Sequence, residues 1–248
     1  MGRVFLVRHA QASFLEPDYD KLSATGETQA RVLGEYWARH KVSFDRVCTG
    51  PRVRHRDTEK AVRETYARHS LTFPESIVLD EFDEFQGDLV LEKSLPQLSA
   101  SNSHIRDLDA AVKTANSPPQ RRRNFQRLFD TVVTMWVNGE LAVDGVESWE
   151  AFIARVNRGL SQFLSTAEKN ETCAIFTSGG PVAVSVQRAL RLSPQDTLQV
   201  AWMPSLWVSF QWLPVISQLL SGRPLLRLRL IQLLLAGLLW RPALTQYR

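Results

Sequence analysis

An arginine and a histidine stand side by side after a short apolar run near the start of the chain. Residues 4–7 (VFLV) are strand formers, and Arg8 and His9 follow them directly. The carboxyl end of a strand in an open α/β sheet is where ligands bind. Arginine offers a planar fork of donors that suits phosphate, and a neutral imidazole can act as a nucleophile. The pair therefore suggests phosphate chemistry, although an isolated Arg-His dipeptide is more often a surface feature.

The composition indicates a globular protein with one large domain or two small ones. The chain has 248 residues, of which 44% are hydrophobic and 23% charged, with a net charge of +4. This mild positive charge suits an anionic ligand, but the basic clusters lack interleaved aromatic residues, so no nucleic-acid partner is expected. Cys48 and Cys173 lie in apolar runs without metal-ligand spacing, and we expect reduced thiols, no metal and no cofactor. The absence of a signal-peptide pattern predicts a cytoplasmic protein.

Alternating strand and helix signals predict an α/β protein with three α/β/α layers and a mainly parallel sheet. Strand signals occupy residues 4–7, 44–49, 77–79 and 172–177, and helical spacing is clearest over residues 54–68, 123–137 and 149–164. Ser23 or Thr25 is the expected N-cap of the first helix. The stretch from about residue 89 to 145 is too long for a simple loop, and we interpret it as a helical insertion that roofs a pocket.

Five short motifs follow one another between residues 1 and 190. They are Arg8-His9-Ala10, residues 22–30 (LSATGETQA), residues 50–58 (GPRVRHRDT), Leu79-Asp80-Glu81 and Val146-Glu147-Ser148. Each motif is weak alone, but the five in this order resemble the histidine phosphatase superfamily, in its phosphoglycerate-mutase-like branch. Ala10 stands where that family has glycine, and Gly50-Pro51 stands where it has Ser-Pro.

The resemblance implies a role for each matching residue. His9 would attack phosphorus and carry the phosphoryl group, while Arg8 and Arg54 would bind its oxygens through charge-assisted hydrogen bonds. Glu81 would protonate the leaving oxygen and then activate water. Glu84 competes for this role because the repeated Asp-Glu-Phe leaves the register open. The implied activity is hydrolysis of phosphomonoesters without a metal, through a phosphohistidine intermediate.

Ser178 departs from the family pattern. The family usually has a second histidine at this strand end, whereas here the strand continues into Ser178-Gly179-Gly180. A serine hydroxyl can donate to a phosphoryl oxygen but brings no positive charge, and losing one preorganised donor typically costs about 10²–10³ in rate. Gly179 and the N–H groups at the next helix start, with Pro181 expected at its first position, can still bind an anion. No obvious replacement emerges from the spacing of His40, His55, His69 or His104.

The leading prediction is therefore a phosphatase of reduced activity, with Ser178 and Gly179 among its substrate-binding residues. One alternative is a catalytically impaired protein that only binds phosphate or a phosphoester. A phosphoglycerate mutase is less favoured, because nothing indicates the tight site that retention of the phosphorylated state requires. The expected partner is a small phosphorylated substrate or a phosphoprotein; neither its identity nor the oligomeric state follows from the sequence.

The end of the chain differs from the rest. Residues 1–203 are expected to form the histidine phosphatase-like domain, and residues 204–248 an atypical tail rich in leucine and arginine, with no acidic residue after Asp196. The family usually continues with an edge strand that carries a polar Asn/Ser/Thr segment and with further strands, and the stretch after Met203 shows no such pattern. The apolar run at residues 230–240 is too short to span a bilayer. A buried terminal helix is favoured over peripheral membrane contact, and an out-of-frame reading of GC-rich coding sequence would give a similar composition.

Overall fold

One mixed β-sheet forms the centre of the molecule. The structure is a computed structural model that describes residues 2–13, 20–168 and 170–202 and the backbone of residues 207–212. The strands within these residues are β1 (Gly2–Arg8), β2 (Arg46–Thr49), β3 (Ser76–Val78), β4 (Thr172–Thr177) and β5 (Trp207–Trp212). They lie in the order β3-β2-β4-β1-β5. Strands β1 to β4 are parallel, and β5 pairs antiparallel with β1. The prediction of a mainly parallel sheet is confirmed.

Helices cover both faces of this sheet. In the described part of the chain they are α1 (Ala24–Arg39), α2 (Val53–Arg68), α3 (Gly87–Ser101), α4 (Ser103–Lys113), α5 (Pro118–Val137), α6 (Trp149–Ser165), α7 (Gly179–Leu190) and α8 (Pro194–Trp202). Successive strand residues point to opposite faces. Phe5 and Val7 therefore pack with side chains of α1 and α2, whereas Val4 and Leu6 face the core that contains side chains of α3 to α8. This arrangement confirms the three-layer α/β/α prediction.

Capping side chains explain where several helices begin. The Ser23 side chain accepts a hydrogen bond from the Gly26 N–H, so Ser23 is the N-cap of α1. Helix α5 begins at Pro118, five residues before the predicted start at 123, because Ser117 caps it and proline is favoured in the first turn. Helix α7 begins at Gly179, so the prediction that Pro181 is its first residue is wrong.

The predicted insertion is helical and packs on the main body of the protein. Helices α3, α4 and α5 lie within or at the edges of the predicted range 89–145. Trp136 of α5 stacks on Phe85, with ring centroids 5.5 Å apart. The insertion therefore supports the segment between β3 and α3, which carries the acidic residues Glu81 and Glu84.

The sheet continues past the predicted end of the domain. Strand β5 pairs with residues 2–7 of β1, so an edge strand does follow Met203, in contrast to the expectation from the sequence. The sequence of this strand is WVSFQW, four of whose six residues are apolar. The remaining tail at 213–248, and the predictions made for it, lie outside the described residues. Among the residues described, no helix combines the length and hydrophobicity needed to cross a membrane.

Candidate active site

The carboxyl ends of β1, β2 and β4 meet at one edge of the sheet. The backbone N–H of His9 donates to the carbonyl of Thr177 at 2.7 Å, and the N–H of Gly50 donates to the carbonyl of Phe176 at 2.8 Å. These hydrogen bonds align the residue after β1, the turn before α2 and the end of β4. As a result, His9, the first turn of α2 and Ser178 form one cluster, as expected for the ligand-binding edge of an α/β sheet.

The surroundings of His9 fix which of its ring nitrogens carries the hydrogen. Arg54 Nε donates to His9 Nε2 at 3.0 Å, and His9 Nδ1 lies 2.7 Å from the Ala10 carbonyl. Because arginine can only donate, Nε2 must hold a lone pair, and Nδ1–H donates to Ala10. Burial, followed by the charges of Arg54, Arg8 and Arg52, lowers the pKa of His9 to about 3. His9 is therefore a neutral imidazole with its lone pair on Nε2 near neutral pH.

This lowered pKa predicts that His9 makes the folded protein sensitive to acid. The unfolded chain takes up a proton on His9 as the pH falls through 6.5, while the folded protein does so only near pH 3. The stabilisation is complete above pH 6.5 and is lost as the pH falls toward 3. We expect the free energy of unfolding to fall less steeply in His9→Gln than in the wild type, by up to about 1.4 kcal/mol per pH unit. Urea denaturation between about pH 7 and pH 5 measures both slopes, and equal slopes would contradict the prediction.

Arg54 lies at the centre of the cluster. Its side chain is 3% exposed, and its Nη1 forms an ion pair with Asp20 Oδ1 at 2.6 Å. Asp20 Oδ2 also accepts the Val53 N–H at 2.8 Å, which ties the acid to the start of α2. On the other edge of the guanidinium, Nε contacts His9, and Nη2 lies 3.5 Å from Ser178 Oγ. Asp20, which no motif marked as a site residue, orients the predicted phosphate-binding arginine.

Arg8 and Gly179 line the same part of the site. Arg8 Nη1 donates to the carbonyl of Ala201 at 3.2 Å. A Cβ atom on Gly179 would lie 3.4 Å from Cζ of Arg8, so the guanidinium rests against the first residue of α7. The N-terminus of a helix favours anions. Arg8 and Gly179 thus lie together at the N-terminus of α7.

Glu84, rather than Glu81, contacts the N-terminus of α7. The carboxylate oxygens of Glu84 accept the Gly180 N–H at 3.1 and 3.2 Å, and Oε1 accepts the Phe85 N–H at 3.1 Å. Burial raises the pKa of Glu84, although the Gly180 N–H and the charge of Arg8 partly oppose the rise. Glu81 instead packs its Cβ so closely on α6 that a Cβ on Gly159 would lie 2.5 Å from it. The structure therefore groups Glu84 with the predicted site residues and places Glu81 against α6.

Arg155 of α6 holds in place the segment between β3 and α3, which carries Glu81 and Glu84. Its Nη1 donates to the carbonyls of Asp80, Glu81 and Asp83 at 3.3, 3.0 and 3.1 Å. Its Nη2 pairs with Glu147 Oε1 at 2.5 Å. Glu147 belongs to the fifth sequence motif. Through its ion pair with Arg155, it helps to hold the segment that carries Glu81 and Glu84. Sequence spacing had not indicated Arg155.

Aromatic side chains surround the residue after Glu84. The Phe85 ring lies 5.5 to 6.3 Å, between centroids, from the rings of Trp136, Trp149, Phe152 and Trp202. These rings come from the insertion, α6 and α8, which are distant in sequence. An apolar environment disfavours a charged carboxylate. Burial raises the pKa of Glu84, and this cluster fixes the position of Phe85, whose N–H donates to Glu84 Oε1.

His55 is a buried member of the site that the sequence did not reveal. It follows Arg54 in α2, is 0% exposed, and places Nε2 2.6 Å from Ser178 Oγ. Its ring centroid is 5.7 Å from that of His9. Burial, followed by the charges of His9, Arg54 and Arg52, lowers the pKa of His55 well below its ordinary value. Spacing along the chain does not mark His55 as a replacement for the missing histidine, yet the fold brings its ring to Ser178.

Comparisons with known proteins support the fold. No protein-family model and no curated protein matches the sequence. The mycobacterial glucosyl-3-phosphoglycerate phosphatase Rv2419c matches with a TM-score of 0.53 and 18% identity, over 85% of this chain and 91% of that one. Bacillus stearothermophilus YhfR matches with a TM-score of 0.55 and 14% identity, over 85% and 91%. A phosphoserine phosphatase mutant of Entamoeba histolytica, in complex with phosphoserine, matches with a TM-score of 0.56 and 12% identity, over 92% and 96%.

These matches confirm the predicted resemblance at the level of the fold. The chain has the three-layer fold of the phosphoglycerate-mutase-like histidine phosphatases, and it spans nearly the whole length of the structures it matches. Identities of 12 to 18% leave the activity to be argued from the site itself.

Proposed function

We propose that this chain is a phosphomonoesterase that works without a metal and forms a phosphohistidine on His9 Nε2. The observation that carries the proposal is the state of His9, a neutral ring whose lone pair faces the guanidinium of Arg54. A nucleophile beside a phosphate-binding group is the arrangement that phosphoryl transfer needs. Two proteins with this fold are named as phosphatases, one of glucosyl-3-phosphoglycerate and one of phosphoserine. Small phosphomonoesters are therefore the first class of substrate to test.

The first half-reaction transfers the phosphoryl group to the protein. Arg8 and Arg54 bind the phosphoryl oxygens, and Arg54 Nε exchanges its hydrogen bond to His9 for one to the substrate. His9 Nε2 then forms a bond to phosphorus while the ester P–O bond breaks. Glu84 takes the role that the resemblance implied for Glu81, and its protonated carboxyl gives a proton to the leaving oxygen. A raised pKa suits this role because the acid must carry a proton before the reaction.

The second half-reaction returns the protein to its starting state. Glu84, now a carboxylate, accepts a proton from water as the water oxygen attacks phosphorus. The P–N bond breaks, inorganic phosphate leaves, and His9 regains the lone pair on Nε2. The hydrogen bond from Nδ1–H to the Ala10 carbonyl keeps Nε2 directed at phosphorus throughout.

The proposal is tested by phosphate release from an aryl phosphate in the presence of a chelator. We expect saturable turnover that the chelator leaves unchanged and that orthovanadate inhibits. Binding of inorganic phosphate by the folded protein without any turnover would contradict the proposal and favour a phosphoester-binding protein.

Gly180 leaves room for the carboxylate of Glu84, so its replacement is expected to impair turnover. A Cβ on Gly180 would collide with Glu84 Oε1 and lie 2.8 Å from Phe85 Cδ1. We expect Gly180→Ala to lower kcat at least about tenfold, because displaced catalytic groups lose orientation, and to destabilise the fold by about 1–3 kcal/mol.

Gly139→Ala is the matched control for this change. Gly139 has a positive φ of 73° and no atom within 4 Å of an added Cβ. This variant should lose about 1–2 kcal/mol of stability through backbone strain alone and keep its kcat. Steady-state kinetics and urea denaturation of both variants measure the change in kcat and the change in the free energy of unfolding. An unchanged kcat in Gly180→Ala would show that turnover does not depend on the position of the Glu84 carboxylate at Gly180.

A further inference from the structure

Ser178 does not use its side chain as an N-cap serine usually does. It is the N-cap of α7, yet its hydroxyl makes no capping hydrogen bond to the helix. The hydroxyl oxygen instead lies 2.6 Å from Nε2 of His55 and 3.5 Å from Nη2 of Arg54. Ser178 and His55 are both 0% exposed. A buried serine held by a buried histidine, next to the proposed nucleophile, calls for an explanation beyond capping.

Gly50 leaves the space that the His55 ring occupies. A Cβ atom on Gly50 would collide with His55 Nδ1 and lie 2.9 Å from its Cε1. In the third sequence motif, Gly50 replaces the serine of the related family, and Ser178 replaces the family's second histidine. These two positions lie against the same ring, Gly50 beside Nδ1 of His55 and Ser178 beside its Nε2. Both differences from the family are explained if His55 of α2 takes the place of the histidine that is missing after β4.

The hydrogen on the neutral His55 ring belongs on Nε2. Among the described residues no group meets Nδ1 with the distance and angles of a hydrogen bond, although the Gly50 backbone lies close enough to oppose in part the lowering of the His55 pKa. A buried N–H without a partner is rarer than a buried acceptor without one. The single hydrogen of a neutral imidazole is therefore better placed on Nε2, where Ser178 Oγ accepts it.

The donors around Ser178 then determine where its own hydrogen points. A hydroxyl has two acceptor positions and one donor. His55 Nε2–H fills one acceptor position, and Arg54 Nη2–H approaches the other. Because both nitrogens donate to Ser178 Oγ, neither can accept the Ser178 O–H. The O–H is therefore available to donate to another oxygen atom. Arg54 Nε and Nη2 lie on one edge of a planar group, so His9 Nε2 and Ser178 Oγ, their partners, are neighbours.

Resting on the function proposed above, we propose that His55 is a positioning residue that acts through Ser178. His55 holds the Ser178 hydroxyl so that its O–H donates to a phosphoryl oxygen during transfer to and from His9. The pair thereby restores the hydrogen-bond donor lost with the second histidine, from a different element of the fold. This role differs from simple core packing because it depends on a hydrogen at one defined atom.

The location of that hydrogen is measured by ¹⁵N NMR of the histidine side chains, with His55 assigned by comparison with His55→Gln. The proposal predicts that His55 is neutral near neutral pH with its hydrogen on Nε2. A hydrogen on Nδ1 would overturn it, because Ser178 would then donate to the ring and have no hydrogen left for the phosphoryl oxygen.

A double-mutant cycle tests the coupling of the two residues. We expect His55→Leu and Ser178→Ala each to lower kcat for an aryl phosphate about 10- to 100-fold, with KM changed less than about threefold. The double variant should be no slower than the slower single variant, because the residues act as one unit. His55→Gln, whose amide N–H reaches a similar position, should stay within about fivefold of the wild type. His69→Gln at the end of α2, where His69 binds Glu35, is the control and should leave kcat unchanged.

Orthovanadate affinity, measured by calorimetry on the same variants, separates this inference from the proposed function. We expect the two single changes to weaken vanadate binding about tenfold each and the double change no further. Coupled losses of affinity in a protein without turnover would support the inference and contradict the phosphatase proposal. Additive losses, or a folded His55→Gln as impaired as His55→Leu, would overturn the inference while leaving His9-dependent turnover intact.

Discussion

Replacement of His9 by alanine is expected to reduce phosphate release from an aryl phosphate by about 10⁴-fold or more. The change removes the only atom proposed to bond to phosphorus, and loss of a nucleophile costs about this much or more in other covalent enzymes. Arg8 and Arg54 remain in the variant, so binding of inorganic phosphate should persist. Steady-state kinetics and phosphate calorimetry on the same preparation measure both quantities.

The control for this result is an exposed histidine outside the site. His104 lies at the exposed start of α4, and His104→Ala should retain wild-type turnover. A folded His9→Ala protein that keeps more than a tenth of the wild-type rate would show that phosphate is released by another route. Loss of phosphate binding together with turnover would indicate a disturbed site and would require the more conservative His9→Gln.

Replacement of Glu84 by glutamine is expected to lower kcat by about 10²–10⁴-fold, the usual contribution of a general acid or base. Glutamine keeps the shape of the side chain but has no proton to transfer. Glu81→Gln is the matched change three residues earlier, and we expect it to alter kcat less than about threefold, because the Glu81 side chain packs on α6. Parallel kinetics of the two variants decide which glutamate acts.

The leaving group provides a second measure of the same role. A nitrophenolate leaves without help from an acid, whereas an alkoxide needs a proton. The defect of Glu84→Gln should therefore be larger with an alkyl phosphate than with a nitrophenyl phosphate. An equal defect with both, or a larger defect in Glu81→Gln, would remove Glu84 from the role of proton donor.

The architecture could be predicted from the sequence because local patterns determine it. Residues 4–7 and 172–177 are strong strand formers, and both were placed correctly in the sheet. Ser23 and Ser148 mark helix starts through hydrogen bonds within their own turn. Arg8, His9 and Arg54 lie at strand ends or helix starts, so the topology of the sheet is sufficient to bring them to one edge.

The features that were missed depend on packing between distant segments. One of them is the contact of Glu84, rather than Glu81, with the start of α7, in a segment whose carbonyls Arg155 binds from α6. The sequence shows two acids in similar contexts, and nothing local distinguishes them. In the same way, β5 was missed because its pairing with β1 is a contact between the two ends of the described chain.

His55 illustrates the limit of motif reasoning most clearly. Spacing along the chain cannot mark His55 as a partner of Ser178, because His55 belongs to α2 and Ser178 follows β4. Ser178 and His55 are 123 positions apart in sequence and 2.6 Å apart in space. The one local signal was Gly50, whose missing side chain makes room for the ring, and that signal acquires meaning only once the ring's position is known.

Trapping of the covalent intermediate tests the central claim most directly. The protein is mixed with an aryl phosphate that carries a radioactive phosphoryl group, quenched within milliseconds in alkali, and digested for mass spectrometry. We predict up to one labelled phosphoryl group per chain, stable in alkali but labile in acid, on the peptide that contains His9, and none in His9→Ala. Rapid turnover with no label on the protein, or a label that persists in His9→Ala, would contradict a phosphohistidine mechanism at this site.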